Sequence, residues 1–258
     1  MAINITDLTG RVAVVIGATS GLGRSIAVGL ANSGANVVPT GRRENLVKEV
    51  CEEIKELGNE TLETTVDVSS RDSINALCKI VSEHFGRVDI LVNAAGITAR
   101  KPTVEVTDED WNKILDANLT GMLRACQAFY EPLKKSGNGR IINIASLSSF
   151  VAFHEVTAYG VSKAGVLALT KSLGSEWAKD GINVNAIVPG VFRTDLNADL
   201  LDNSERGKEL LMRTPMKRFG KAEELIGAAV FLASDAASFI TGQSIAVDGG
   251  FLASGVNS

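Results

Sequence analysis

Short runs of β-branched and apolar residues recur along the chain, separated by longer stretches whose apolar positions fall every three or four residues. The short runs are Val12–Ile16, Asn36–Thr40, Glu63–Val66, Val88–Val92, Arg140–Ala145, Ile182–Val188 and Ser244–Val247. Each has the length and residue types of a strand, and several are apolar almost throughout, as strands are when helices cover both faces of a sheet. The longer stretches, Leu22–Asn32, Glu44–Leu57, Ser70–Phe85, Asp108–Lys135, Thr157–Lys179 and Ala222–Ser234, carry the helical period. Asp108 stands where an N-cap belongs, with acidic residues following it into the first turn. Strands alternating with helices in this way predict an α/β fold, a doubly wound parallel sheet of seven strands. No linker, repeat or low-complexity segment divides the chain, so residues 1–258 read as a single domain. Val191–Thr214 is the one long interruption; in a compact α/β domain such a segment is often a lid or substrate loop.

Composition narrows the function classes. Apolar residues make up 45% and charged residues 22%, which is globular rather than disordered. A net charge of −4, with both signs interspersed, argues against a nucleic-acid surface or an anionic membrane. Apolar runs such as Ile182–Pro189 are too short to span a bilayer, and Met1–Gly10 lacks the pattern of a secretory signal. Cys51, Cys78 and Cys126 are odd in number and widely spaced, as structural thiols of a cytoplasmic protein are. With His84 and His154 the only histidines, no metal site is expected.

The chemistry gathers at three places. Gly17–Ala18–Thr19–Ser20–Gly21–Leu22–Gly23 follows the first strand and opens the first helix, so its backbone can approach a pyrophosphate resting on the helix N-terminus. At the end of the second strand stand Arg42 and Arg43, with no acid before Glu44. Dinucleotide folds place an acid there for NAD and arginine for the 2′-phosphate of NADP, so NADP(H) is favoured over NAD(H). Finally Tyr159 and Lys163 lie four residues apart, on one face of a helix, thirteen residues after Ser146. An ammonium beside a phenol favours the phenolate and lowers the phenol's pKa toward the working range. Ser146 can hydrogen-bond the same substrate oxygen that Tyr159 protonates.

Taken in order, these motifs resemble the short-chain dehydrogenase/reductase family over essentially the whole chain. Asp67–Val68 is similar to the pair whose acid holds adenine, and Asn93–Ala94–Ala95–Gly96 to the family's NNAG motif. Asn118 matches the helix asparagine, and Pro189–Gly190 with Thr194 the segment that meets the nicotinamide carboxamide. Ile16 and Ala94 depart from the family pattern at positions that support loop hydrogen bonds. The resemblance implies a Rossmann fold, hydride transfer between a nicotinamide and a carbonyl/alcohol pair, and a homotetramer. It implies that Tyr159 protonates the nascent alkoxide, that Ser146 steadies it, and that Lys163 binds the nicotinamide ribose. Asn118 would position a relay water.

Arg213–Gly220 and Glu224–Leu232 resemble the family's sugar-acid branch, of gluconate 5-dehydrogenases and related ketoreductases. Arg100, Ser148, His154, Arg193 and Asn197 are the candidates for meeting such a small-molecule substrate. A reductase of carrier-bound ketoacyl groups and a non-catalytic nucleotide sensor are the other readings. The first would use a basic surface, to which Lys134, Lys135 and Arg140 could contribute; the second has no need of Asn118, Ser146, Tyr159 and Lys163 together. Phe129 with Tyr130, Phe239–Ile240 and Phe251–Ala253 are candidate subunit contacts.

Overall fold

β1 (Val12–Ile16), β2 (Asn36–Thr40), β3 (Ile90–Asn93), β4 (Gly139–Ile144), β5 (Ile182–Pro189) and β6 (Ser244–Val247) pair in parallel, in the order β2-β1-β3-β4-β5-β6. The structure, a computed structural model, describes residues 4–194 and 198–255. Alternation along each strand divides its side chains between two layers. Val12, Val14 and Ile16 face α3 (Arg71–Phe85), α5 (Gly121–Ser136) and α6 (Thr157–Glu176), where Leu77, Phe129 and Val166 complete one core. Ala13 and Val15 face the other way, onto Ile26, Ile54 and Leu232 of α1 (Gly21–Asn32), α2 (Glu44–Glu56) and α9 (Ile226–Ala233). Every residue of β1 is buried, which is why its sequence is apolar without a break.

Among the described residues the sheet has six strands, not seven. Glu63–Val66 does run beside β2, held by Val66 N–H to Gly41 O at 3.0 Å and Thr40 Oγ1 to Thr64 O at 2.8 Å. Asn36 donates to Arg11 O of the chain entering β1, whereas Val37 donates outward to Glu60 O. By that alternation Pro39 also faces outward, and it has no N–H to give. The ladder breaks there and the segment remains an unladdered extension.

Two helix boundaries also differ from the periodic reading. The N-cap before Asp108 is Thr107, whose hydroxyl accepts from Asp110 N–H while the Asp110 carboxylate accepts from Thr107 N–H. The stretch to Lys135 is two helices, α4 (Asp108–Leu115) and α5, joined by a π-helical turn over Asp116–Thr120 that contains Asn118. The long insertion carries α7 (Ala198–Asn203) and α8 (Glu205–Arg213).

Of the candidate subunit contacts, Phe129 is fully buried in its own core and Tyr130 packs on Trp177 with ring centroids 4.9 Å apart. Phe251 is buried too, against Phe153 and the Arg213 guanidinium. Only Phe239 stands fully in solvent. Arg140, read as a surface cation, is buried beside Arg11 and Asp235, and burial lowers its pKa to about 10. No described helix is long and apolar enough to cross a membrane.

Candidate active site

The sheet order reverses direction at β1, because β2 lies to one side of it and β3 to the other. Loops leaving the carboxyl ends of β1 and β3 therefore diverge, and a crevice opens where ligands bind in such sheets. It is a cleft of about 850 Å³, lined by the turn after β1, by Arg42 and Arg43 after β2, by Ala94–Gly96 after β3 and by Ser146 after β4. That volume suits a dinucleotide-sized ligand and a small partner.

At one end stand Ser146, Tyr159 and Lys163. Ser146 Oγ accepts from Ser148 N–H at 3.1 Å, which leaves the hydroxyl proton free to point elsewhere. It is in hydrogen-bonding contact with Tyr159. Lys163, one helical turn after Tyr159, is 4% exposed, with Nζ donating to Ile144 O at 2.7 Å and lying 5.8 Å from the Tyr159 ring centroid. Burial lowers the Lys163 pKa to about 8. The expected lowering of the Tyr159 pKa is not what this environment produces. Burial raises it, and the Ser146 hydrogen bond only partly offsets the rise.

Asn118 does not itself line the cleft but sits directly behind Ile97, which does. Its amide accepts from Ile97 N–H at 2.7 Å and donates to Ile97 O at 2.9 Å and to Ser162 Oγ at 3.0 Å. Both N–H groups are thus committed to fastening the loop after β3 to α6. Gly96 is where that fastening needs space, since a Cβ there would lie 3.3 Å from Asn118 Oδ1 and 3.5 Å from Lys163 Nζ.

The opposite end is built to receive phosphate. Ser20, the N-cap of α1, makes no side-chain capping bond, so N–H groups of the first turn face the cleft unsatisfied. Arg43 Nη2 instead donates to Thr19 Oγ1 and Ser20 Oγ, each at 2.9 Å. Asp67 is held below the usual carboxylate range by the hydroxyl and N–H of Ser69, and more weakly by the Arg42 charge. Gly17 has φ +91°, and a Cβ on it would lie 2.4 Å from Ala95 N; one on Gly23 would lie 2.2 Å from Gly17 O. The residues fit a dinucleotide cofactor. Gly23→Ala should force this turn apart, costing about 1–3 kcal/mol of stability and most of the cofactor affinity. Thermal melts with and without cofactor check this; an unchanged cofactor-induced shift would contradict it.

Of the residues singled out for a cofactor, all but Asn93 line the cleft. Asn93 points into the sheet, donating to Asn143 Oδ1 at 2.9 Å, and Asn143 in turn donates to Thr170 Oγ1 at 3.0 Å. Of the substrate candidates, Arg100 and Ser148 line the cleft, and Arg100 is paired with Glu155 at 2.6 Å. His154 and Arg193 are not in the lining; Arg193 pairs with Asp202 at 2.7 Å. Asn197 lies outside the described residues. Lys113, Phe153 and Arg206 line the cleft without having been singled out. Arg206 sits in the insertion read as a lid or substrate loop, but which of its charges faces inward depends on how α7 turns into α8. Among the described residues no group of three His, Cys, Asp or Glu side chains is placed to hold a metal ion. Cys126, fully buried, has its thiol pushed up to about 12 by burial.

A family model described as enoyl-(acyl carrier protein) reductase matches residues 17–252. The 2-dehydro-3-deoxy-D-gluconate 5-dehydrogenase of Dickeya dadantii strain 3937 is 40% identical over 98% of this chain and the whole of its own. The 3-oxoacyl-(acyl-carrier-protein) reductase of Escherichia coli strain K12 is 39% identical over 95% of this chain and 98% of its own. Among solved structures, a gluconate 5-dehydrogenase from Burkholderia cenocepacia J2315, in complex with NADP and tartrate, superposes with a TM-score of 0.93. It is 35% identical, over 98% of this chain and 99% of its own.

Proposed function

The chain belongs to the short-chain dehydrogenase/reductase family and is an NAD(P)-dependent oxidoreductase of CH–OH groups, and we propose that it interconverts a keto-sugar acid and its secondary alcohol with NADP(H). The observation that carries this is the cleft itself, with Ser146, Tyr159 and Lys163 at one end and paired arginines beside Thr19 and Ser20 at the other. The relatives that act on sugar acids support the substrate class. Free thiols suit a reducing, cytoplasmic setting, and the exposed Phe239 suits a surface covered in a homotetramer.

The phosphates would rest on the turn Gly17–Gly23, with Arg42 and Arg43 at the 2′-phosphate and Asp67–Val68 at adenine. Ala94–Gly96, Pro189, Gly190 and Thr194 would line the nicotinamide end, with Lys163 on its ribose. When bound, the nicotinamide supplies or accepts the hydride. In reduction the Tyr159 hydroxyl gives its proton to the substrate oxygen, which Ser146 holds by the hydroxyl hydrogen that Ser148 leaves free. The Lys163 ammonium then stabilises the phenolate that remains. Asn118 acts as a positioning residue, with its side chain already used by Ile97 and Ser162.

Arg42→Ala should weaken NADPH roughly 10- to 100-fold, the scale of a charge-assisted phosphate contact. NADH affinity should hardly move. Equal losses for both would remove the NADP assignment. The substrate class is tested by oxidation: gluconate-type acids should reduce NADP⁺, with the keto product identified by NMR. Turnover of 3-hydroxyacyl thioesters alone would select the acyl-carrier reading instead.

A further inference from the structure

Charges around the catalytic end of the cleft are mostly spent. Arg100 is tied to Glu155 at 2.6 Å, and Glu155 is fixed in turn by a left-handed backbone, φ 65°, and by Lys101 N–H donating to its carbonyl at 2.7 Å. Arg193 is tied to Asp202, and Glu205 to Lys208 at 2.7 Å. Of the three acids within four residues of Arg206 in the chain, Asp202 and Glu205 are therefore occupied, and Glu209 forms no ion pair among the described residues. Among the described residues Arg206 has no carboxylate partner; it donates once, from Nη1 to His154 O at 3.3 Å. That contact places its guanidinium on the loop five residues before Tyr159, at the end of the cleft where the chemistry is. Leu201, Leu210, Phe153 and Val156 line the same cleft and thin the water around it. A guanidinium has five donors in a planar fork matched to a carboxylate, and four of these remain.

We propose that Arg206 binds the carboxylate of the substrate and so decides that the enzyme takes acids rather than neutral polyols. The proposal rests on the sugar-acid reading for its substrate, while the anion site itself rests on the charges. Lys113 also lines the cleft, but it is exposed and offers a point charge without the fork.

Two measurements test this on the full chain. The first is the ratio of kcat/KM for 5-ketogluconate to that for a neutral diketone. In Arg206→Gln it should fall roughly 10- to 100-fold, mainly through KM, with part recovered in Arg206→Lys. An unchanged ratio in a variant that melts normally would overturn the proposal. The second is titration of tartrate into the NADP⁺ complex, which should bind the wild type and lose at least tenfold in affinity in Arg206→Gln. If the wild type reduces no keto-sugar acid, the sugar-acid reading falls by itself. Tartrate then decides the anion site: equal affinity in both proteins would overturn it.

Discussion

Replacing Tyr159 with Phe should lower turnover by roughly 10²- to 10⁴-fold, the range expected when a positioned proton donor is removed. The substitution deletes one hydroxyl and leaves the ring, so packing of α6 against the turn after β4 is preserved. Cofactor affinity, measured by fluorescence titration, should stay within about twofold, because the phosphate contacts lie at the other end of the cleft. Retention of a tenth or more of the activity would contradict the role of Tyr159. A parallel collapse of cofactor binding would show that the hydroxyl serves the cofactor rather than the proton.

Lys163→Met should have the second large effect, and it carries a sign that separates function from stability. The ammonium is buried, and its pKa falls from 10.5 in the unfolded chain to about 8. Between those values the unfolded state binds more protons, so the group's penalty on folding is full below pH 8 and fades as pH rises toward 10.5. At neutral pH the net penalty, with the hydrogen bond to Ile144 O already included, is about 3 kcal/mol. Methionine fills similar space without the charge. The variant should therefore melt higher at pH 7, with the gain shrinking by pH 10, while turnover falls at least about 100-fold. A lower melting temperature at pH 7, or a gain independent of pH, would contradict the buried-charge account.

Several features of this site are visible in the chain because they depend on spacing alone. The turn Gly17–Gly23, the arginine pair after β2 and the four-residue step from Tyr159 to Lys163 need only the helical period and strand order to be placed. β1, β2 and β6 coincide with their apolar runs for the same reason. What is missed depends on register and on tertiary charge. Pro39 is plain in the sequence, but only pairing with β1 shows that its absent N–H faces Glu63–Val66. The π turn at Asn118 covers only Asp116–Thr120, a single turn and too short to stand out from the helical period on either side. Asn93 sits in a motif that reads as a cofactor contact, yet parallel register sets it opposite Asn143 and the pair satisfies itself. The direction of the Tyr159 shift is misjudged because the helical step reveals the neighbouring ammonium but not the depth at which both groups are buried. Arg100 and Arg193 look as available as Arg206 until Glu155 and Asp202 are located in space.

The most direct test of the account is the rate of NADPH oxidation by 5-ketogluconate, set against the rate with an acetoacetyl thioester at matched concentrations. Specificity for sugar acids predicts turnover with the keto acid and a kcat/KM for it well above that for the thioester. Turnover confined to the thioester would contradict it, and would leave the proton chemistry of Ser146, Tyr159 and Lys163 serving an acyl substrate instead.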